Sequence, residues 1–124
     1  MTMFKTLAFV ALGGSLGAVS RYLLGLLARS WWGESFPHGT LLVNILGCLT
    51  IGILAGIGLN KLSEPLQQFA VIGVLGSLTT FSTFGNDTLE LFQRQPLLAL
   101  GNIGANVIAG LAAVAIGYWL FHQA

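Results

Sequence analysis

Charge is what this chain has least of. Its 124 residues include five Lys or Arg and four Asp or Glu, 7% in all. A soluble domain carries about 25%, so a water-facing globular surface is excluded. The net charge of +1 also argues against nucleic-acid binding, which needs a basic face or stripe. The single Cys48 rules out an intramolecular disulfide, and one thiol beside two scattered histidines makes no metal-site pattern. Catalytic groupings are missing as well. His38 and His122 fall at segment ends without an acid partner, and the glycine-rich run after Gly73 lacks the Lys-Ser/Thr of a phosphate loop.

What the chain has instead is apolar length. Hydrophobic residues make up 55%, and mean hydropathy is +0.84. A membrane helix needs about 20 apolar residues, so the length suits one four-span membrane domain over residues 1–124. The spans are expected near 4–28, 38–59, 66–92 and 97–121. Lys5 and the run Leu7 to Leu12 resemble a signal peptide, but hydrophobicity continues to Ala28, past the length of a secretory core. A retained first membrane helix is the expectation.

Four spans put Lys5 and Lys61 on one side of the bilayer and Arg29 and Arg94 on the other, with Arg21 near the end of span one. Lys/Arg bias in short loops sets orientation, and here almost none exists. Either orientation is set elsewhere, or the chain inserts both ways and forms an antiparallel homodimer that recreates an inverted repeat. The charge balance favours the second. Small residues recur every fourth position: Gly13 and Gly17, Gly52 and Gly56, and Gly101, Ala105, Ala109, Ala113 and Gly117. Such stripes let helices approach closely in lipid.

The polar residues inside these spans carry the functional signal. Gly73-Val-Leu-Gly-Ser-Leu-Thr-Thr-Phe-Ser-Thr-Phe84 loads span three with glycine and hydroxyls. Interrupted membrane helices of this kind commonly mark an ion or substrate site. Span two lines up Thr40, Asn44 and Cys48 on one face. The Asn44 amide can serve as an interhelical bond or as a pore-facing donor to an anion. Asn102 and Asn106, one turn apart on span four, pose the same choice. Arg21 can snorkel to the interface or supply positive potential at a pore mouth. Asp87 and Glu90 share a face; they can pair with Arg21 or Arg94, approach the interface, or relay protons. Phe81 and Phe84 either pack as ordinary apolar groups or turn their positive ring edges to a small anion.

Three stretches together resemble the CrcB/Fluc family of fluoride channels along nearly the whole chain. They are Gly13-Gly-Ser-Leu-Gly-Ala-Val-Ser-Arg-Tyr22, Gly39-Thr-Leu-Leu-Val-Asn-Ile-Leu-Gly47 and the Gly73–Phe84 run. The resemblance implies an all-α membrane protein with a third helix broken mid-membrane. It also implies an antiparallel dual-topology homodimer in the lipid bilayer of the bacterial inner (plasma) membrane. That assembly exports fluoride ion passively through two pores, and the family's function excludes an enzyme. Asn44 matches the family's pore asparagine, and Phe81 and Phe84 match its paired phenylalanines. Ser82 and Thr83 extend the polar track, to which Thr40, Asn102 and Asn106 are added. Arg21 matches the vestibule arginine, and Asp87 stands where relatives often carry glutamate. The Gly76 and Thr79 carbonyls match positions that hold a structural Na+ at the dimer centre. Relatives usually have Gly-Gly where this chain has Gly76-Ser77.

Two other classes stand beside this one. A small dual-topology exporter of cationic drugs shares the four short spans but needs a carboxylate in span one, where this chain has Arg21 and no acid. A structural membrane subunit would tolerate loss of Asn44 or Phe81 without a transport defect.

Overall fold

A chain with no water at hand must bond its own peptide groups, and an apolar segment does so by winding into a helix. The computed structural model describes residues 1–122, which form helices and, among the described residues, no strand. Helix α1 runs Met3–Trp32, α2 His38–Ile57, α3 Glu64–Arg94 and α4 Pro96–Phe121. Each is long and apolar enough to cross a membrane, and the chain is a multi-pass membrane protein. A single 3-10 turn, Leu59–Lys61, joins α2 to α3.

Local chemistry sets the ends. Thr2 caps α1 by accepting the Lys5 N–H at 3.4 Å. The helix continues past the expected end at Ala28 to Trp32, because nothing in Arg29-Ser-Trp-Trp breaks it and the Ser30 hydroxyl bonds the Leu27 carbonyl at 2.8 Å. Gly33, at φ 77, then stops it. Thirty residues reach about 45 Å at 1.5 Å each, enough to include both headgroup layers. Helix α2 stops at Ile57, short of the expected Leu59, because Gly58 turns at φ 107. Pro65 and Pro96 sit in the first turns of α3 and α4, where a missing N–H costs nothing.

Within α3 the winding changes. Gln67–Leu75 takes wide π turns and Gly76–Leu78 is α-helical. Thr79 (φ −81, ψ 156) and Thr80 (φ −152, ψ 117) are extended, and Phe81–Arg94 is helical again. Helix α4 carries a wide π stretch at Ala105–Ala109, which includes Asn106.

Small residues decide which helices touch. Gly13 lies against the Phe69 carbonyl and Gly73, and Gly17 against Ser77 and the Val74 carbonyl, so α1 packs on the first part of α3. Gly52 faces the Val114 carbonyl and Gly117 faces the Leu49 carbonyl, which binds α2 to α4. The α4 stripe does not act as one surface: Ala113 and Gly117 are buried, while Gly101 meets open space. Val43, Leu75 and Leu78 form a small core with Leu24, Ile51 and Leu54 around it. Most large apolar side chains point outward instead, Phe4 at 82% and Leu97 at 83% exposure among them. That much exposed apolar surface suits hydrocarbon, not water.

Candidate functional site

Thr79 still closes its N–H onto the Leu75 carbonyl at 3.2 Å, but Thr80 leaves helical hydrogen bonding and α2 takes over its peptide groups. In a continuous helix the Thr80 N–H would close onto the Gly76 carbonyl. Here it donates to Asn44 Oδ1 at 2.9 Å, and Asn44 Nδ2 donates back to the Thr80 carbonyl at 3.3 Å. The side-chain amide thus substitutes for a neighbouring peptide. The Thr83 N–H donates to Thr80 Oγ1 at 3.1 Å, an N-cap for the helix that restarts at Phe81. The Thr80 hydroxyl also bonds Thr83 Oγ1 at 3.1 Å and lies 3.3 Å from Ser82 Oγ. Before the gap, Arg21 Nε donates to the Ser77 carbonyl at 3.0 Å, placing a cation at a helix C-terminus, where the dipole favours it. The Ser77 hydroxyl reaches the carbonyls of Gly73 at 2.7 Å and Gly14 at 2.9 Å. The serine therefore latches α3 to α1 at a position where glycine would be silent.

Two cavities meet at Thr80. One, about 620 Å³, lies where the end of α1, the start of α2 and the end of α3 converge. Arg21, Thr40, Thr83, Asp87 and Arg94 face it. The other, about 430 Å³, is lined by Asn44, Gly76, Thr79, Phe81, Phe84 and Asn106 among apolar neighbours, with no ionisable carboxylate or base. Charge therefore collects on one side of Thr80, and neutral donors and phenyl rings on the other.

The residues singled out in the sequence distribute between these spaces. Thr40 donates to Asp87 Oδ2 at 2.7 Å, tying α2 to α3 in the larger cavity. Among the described residues Asp87 and Glu90 form no ion pair with Arg21 or Arg94; Glu90 accepts from Asn86 Nδ2 at 2.9 Å. Arg21 faces the larger cavity rather than reaching out along the helix. Phe81 and Phe84 have ring centroids 5.6 Å apart, and Phe81 is 83% exposed on the outer face of the chain. Ser82 is exposed, and Thr83 turns toward the charged cavity. Asn106 lines the neutral cavity and accepts from Asn44 Nδ2 at 2.9 Å. Asn102 lines neither. It is fully buried behind Asn106 and reaches the cavity only through that residue.

Two residues outside the candidate set belong to the site. Thr80 contributes its N–H, carbonyl and hydroxyl, and its sequence signal is a capping threonine three residues before Thr83. Thr88 is buried and accepts from Asn102 Nδ2 at 3.0 Å. Its signal is fainter, a hydroxyl on the Phe84–Thr88–Leu91 face of the second half of α3.

Residues 8–118 match the family described as CrcB-like protein, Camphor Resistance (CrcB). The chain belongs to the CrcB-like family. Similar proteins include the fluoride-specific ion channel FluC of Shewanella pealeana, 47% identical over 90% of this chain and 92% of that protein. The FluC of Vibrio parahaemolyticus is 42% identical over 97% of each chain. The FluC of Hydrogenovibrio crunogenus is 39% identical over 99% of this chain and 97% of its own. These relatives are named as channels, not as enzymes. The CrcB-like match takes in α2 and α3, most of α1 and α4, and the residues lining both cavities.

Proposed function

We propose that this chain is a fluoride-selective passive channel that exports fluoride from the cytoplasm and so lowers its toxicity. It works in the bacterial inner (plasma) membrane as an antiparallel dual-topology homodimer. The observation that carries the reading is the neutral cavity beside Thr79 and Thr80, where an amide and two phenyl rings meet with no ionised group. Relatives of nearly equal length named as fluoride channels point the same way.

The chemistry follows from the ion. Fluoride is small and tightly hydrated, so stripping its water is costly by the Born logic that penalises any buried charge. Several modest donors can replace that water: the Asn44 amide, the Ser82 and Thr83 hydroxyls, and the edges of Phe81 and Phe84. A fixed cation in the narrow part would hold the ion too firmly, since conduction needs sites that also let go. Arg21 and Arg94 sit in the wider cavity instead, where positive potential concentrates anions at the mouth. Both N–H groups of Asn44 are engaged, one in a 3.3 Å bond to Thr80. That bond is the weaker of the two, and a passing anion replaces it.

A structural Na+ fits the residues present. In an unbroken helix the Gly76 and Thr79 carbonyls would accept from Thr80 and Thr83, but both of those N–H groups are committed elsewhere. Carbonyls at unwound helix segments are suited to Na+, and Gly76 lies on an exposed face beside Phe81, open to a second copy. When bound, the ion supplies positive potential and ties the two segments together. The near-even split of Lys5 and Lys61 against Arg29 and Arg94 supports insertion in both orientations.

The test is fluoride efflux from liposomes holding the purified protein, followed with a fluoride electrode. Fluoride passes, chloride does not, and a proton gradient makes no difference. Chloride flux of similar size overturns the assignment.

A further inference from the structure

One chain of hydrogen bonds threads the site and uses residues that face no cavity. It starts at the Thr80 N–H, which donates to Asn44 Oδ1 at 2.9 Å. Asn44 Nδ2 donates to Asn106 Oδ1 at 2.9 Å, and Asn106 Nδ2 to Asn102 Oδ1 at 3.0 Å. Asn102 Nδ2 donates to Thr88 Oγ1 at 3.0 Å, and the Thr88 hydroxyl donates to the Phe84 carbonyl at 2.7 Å. Both ends lie on α3, Thr80 at the cap just before its second half and Phe84 within it, and the middle crosses α2 and α4.

The direction of this chain is not a free choice of amide orientation. A backbone N–H can only donate, so Thr80 fixes Asn44 with its oxygen toward α3 and its nitrogen toward α4. Asn106 must then present its oxygen to Asn44. Its nitrogen is fixed independently by the Asn102 backbone carbonyl at 3.0 Å. That sets the Asn102 amide, and the Phe84 carbonyl sets the Thr88 hydroxyl. Every donor points the same way, and bonds aligned like this polarise one another.

We infer that Asn106, Asn102 and Thr88 act as a positioning relay that holds the Asn44 amide against the Phe84 backbone, setting the distance between the two neutral contacts an ion meets. The inference rests on the channel reading above. It gives Asn102 a role its burial otherwise hides: it touches no ion, yet it is the link between Asn106 and Thr88. Thr88 joins Asn44 to Phe84 although neither residue touches the other directly in this chain of bonds.

The experiment uses the full-length protein in liposomes, with fluoride efflux counted per assembled protein. Thr88→Val keeps the side-chain shape but removes both the acceptor for Asn102 and the donor to Phe84. Efflux falls about tenfold, the rate equivalent of losing both of these hydrogen bonds at their average strength in a membrane protein. Thr88→Ser keeps the hydroxyl and stays within about twofold of wild type, well under the effect of losing a buried bond. Asn106→Val falls like Thr88→Val, and the double variant falls no further than the lower single, as expected of links in one chain. Wild-type efflux from assembled Thr88→Val overturns the relay. So does a Thr88→Ser as slow as Thr88→Val, or a double variant whose losses multiply. If Thr88→Val does not assemble, Asn106→Val at the cavity edge decides by the same criterion. Wild-type protein without fluoride flux overturns the channel reading and the relay with it; wild-type flux with unaffected variants overturns the relay alone.

Discussion

Replacing Asn44 by alanine separates what the amide does for the fold from what it does for an ion. Three hydrogen bonds disappear: to the Thr80 N–H at 2.9 Å, to the Thr80 carbonyl at 3.3 Å and to Asn106 at 2.9 Å. Priced as unmet groups in a soluble core, at about 1–3 kcal/mol each, the loss would be enough to unfold the protein. In membrane proteins, side-chain hydrogen bonds average only about 0.6 kcal/mol, because the unfolded helices also find partners in lipid. The abandoned Thr80 groups also border a cavity of about 430 Å³, far larger than one water needs. The lower figure applies, and three bonds come to about 2 kcal/mol. Asn44→Ala therefore assembles and melts at a lower temperature. Transport suffers more. A hydrogen bond to a charged partner is worth about 1.5–3 kcal/mol, so fluoride efflux slows roughly 10- to 150-fold. Electrode-monitored efflux, normalised to protein that elutes as the wild-type species, measures this. Wild-type efflux from assembled Asn44→Ala refutes the reasoning.

Three further outcomes are expected. A Cβ on Gly117 would lie 2.5 Å from the Leu49 carbonyl and 2.8 Å from the Ile53 N–H. Gly117→Ala then forces α2 and α4 apart at about 1–3 kcal/mol and lowers the melting temperature in detergent; Gly101→Ala, with nothing within 4 Å, leaves it unchanged or higher. Arg21→Gln keeps a donor for the Ser77 carbonyl and loses the charge, so the protein assembles but fluoride efflux drops most at low ionic strength; a salt-independent drop contradicts the steering role. Asp87→Asn still gives Thr40 an oxygen to bond, so fluoride efflux persists without dependence on a proton gradient; its abolition would make Asp87 the carboxylate of a coupled carrier.

The four helices are legible in the sequence because crossing a bilayer is decided residue by residue. Runs such as Leu41 to Ile57 carry no charge and few polar groups, and Pro37, Pro65 and Pro96 punctuate the spans. Helix ends are less so. Whether Arg29-Ser-Trp-Trp stays helical and where Gly58 turns depend on backbone angles that composition does not carry. Fourfold spacing of small residues names a smooth helix face without saying which part of it has a neighbour. Gly101 and Gly117 fall in one stripe, yet the first meets nothing and the second meets backbone.

For the site, residue type is a matter of sequence, and partnership is a matter of packing. Asn44, Asn102 and Asn106 are each visible as amides in oil, and by type alone they are equivalent. Only tertiary structure makes Asn44 the partner of Thr80, sets Asn106 between it and Asn102, and encloses Asn102 completely. Asn44 and Asn106 are 62 residues apart, so their contact depends on how α2 and α4 come together at Gly52 and Gly117. Arg21 is likewise open in the sequence between membrane surface and pore mouth; its bond to Ser77 decides for the larger cavity. A lipid-crossing segment is selected by the solvent it meets, which its own residues determine. A hydrogen bond between helices is selected by whichever group lies opposite, and that is known only once the helices have packed.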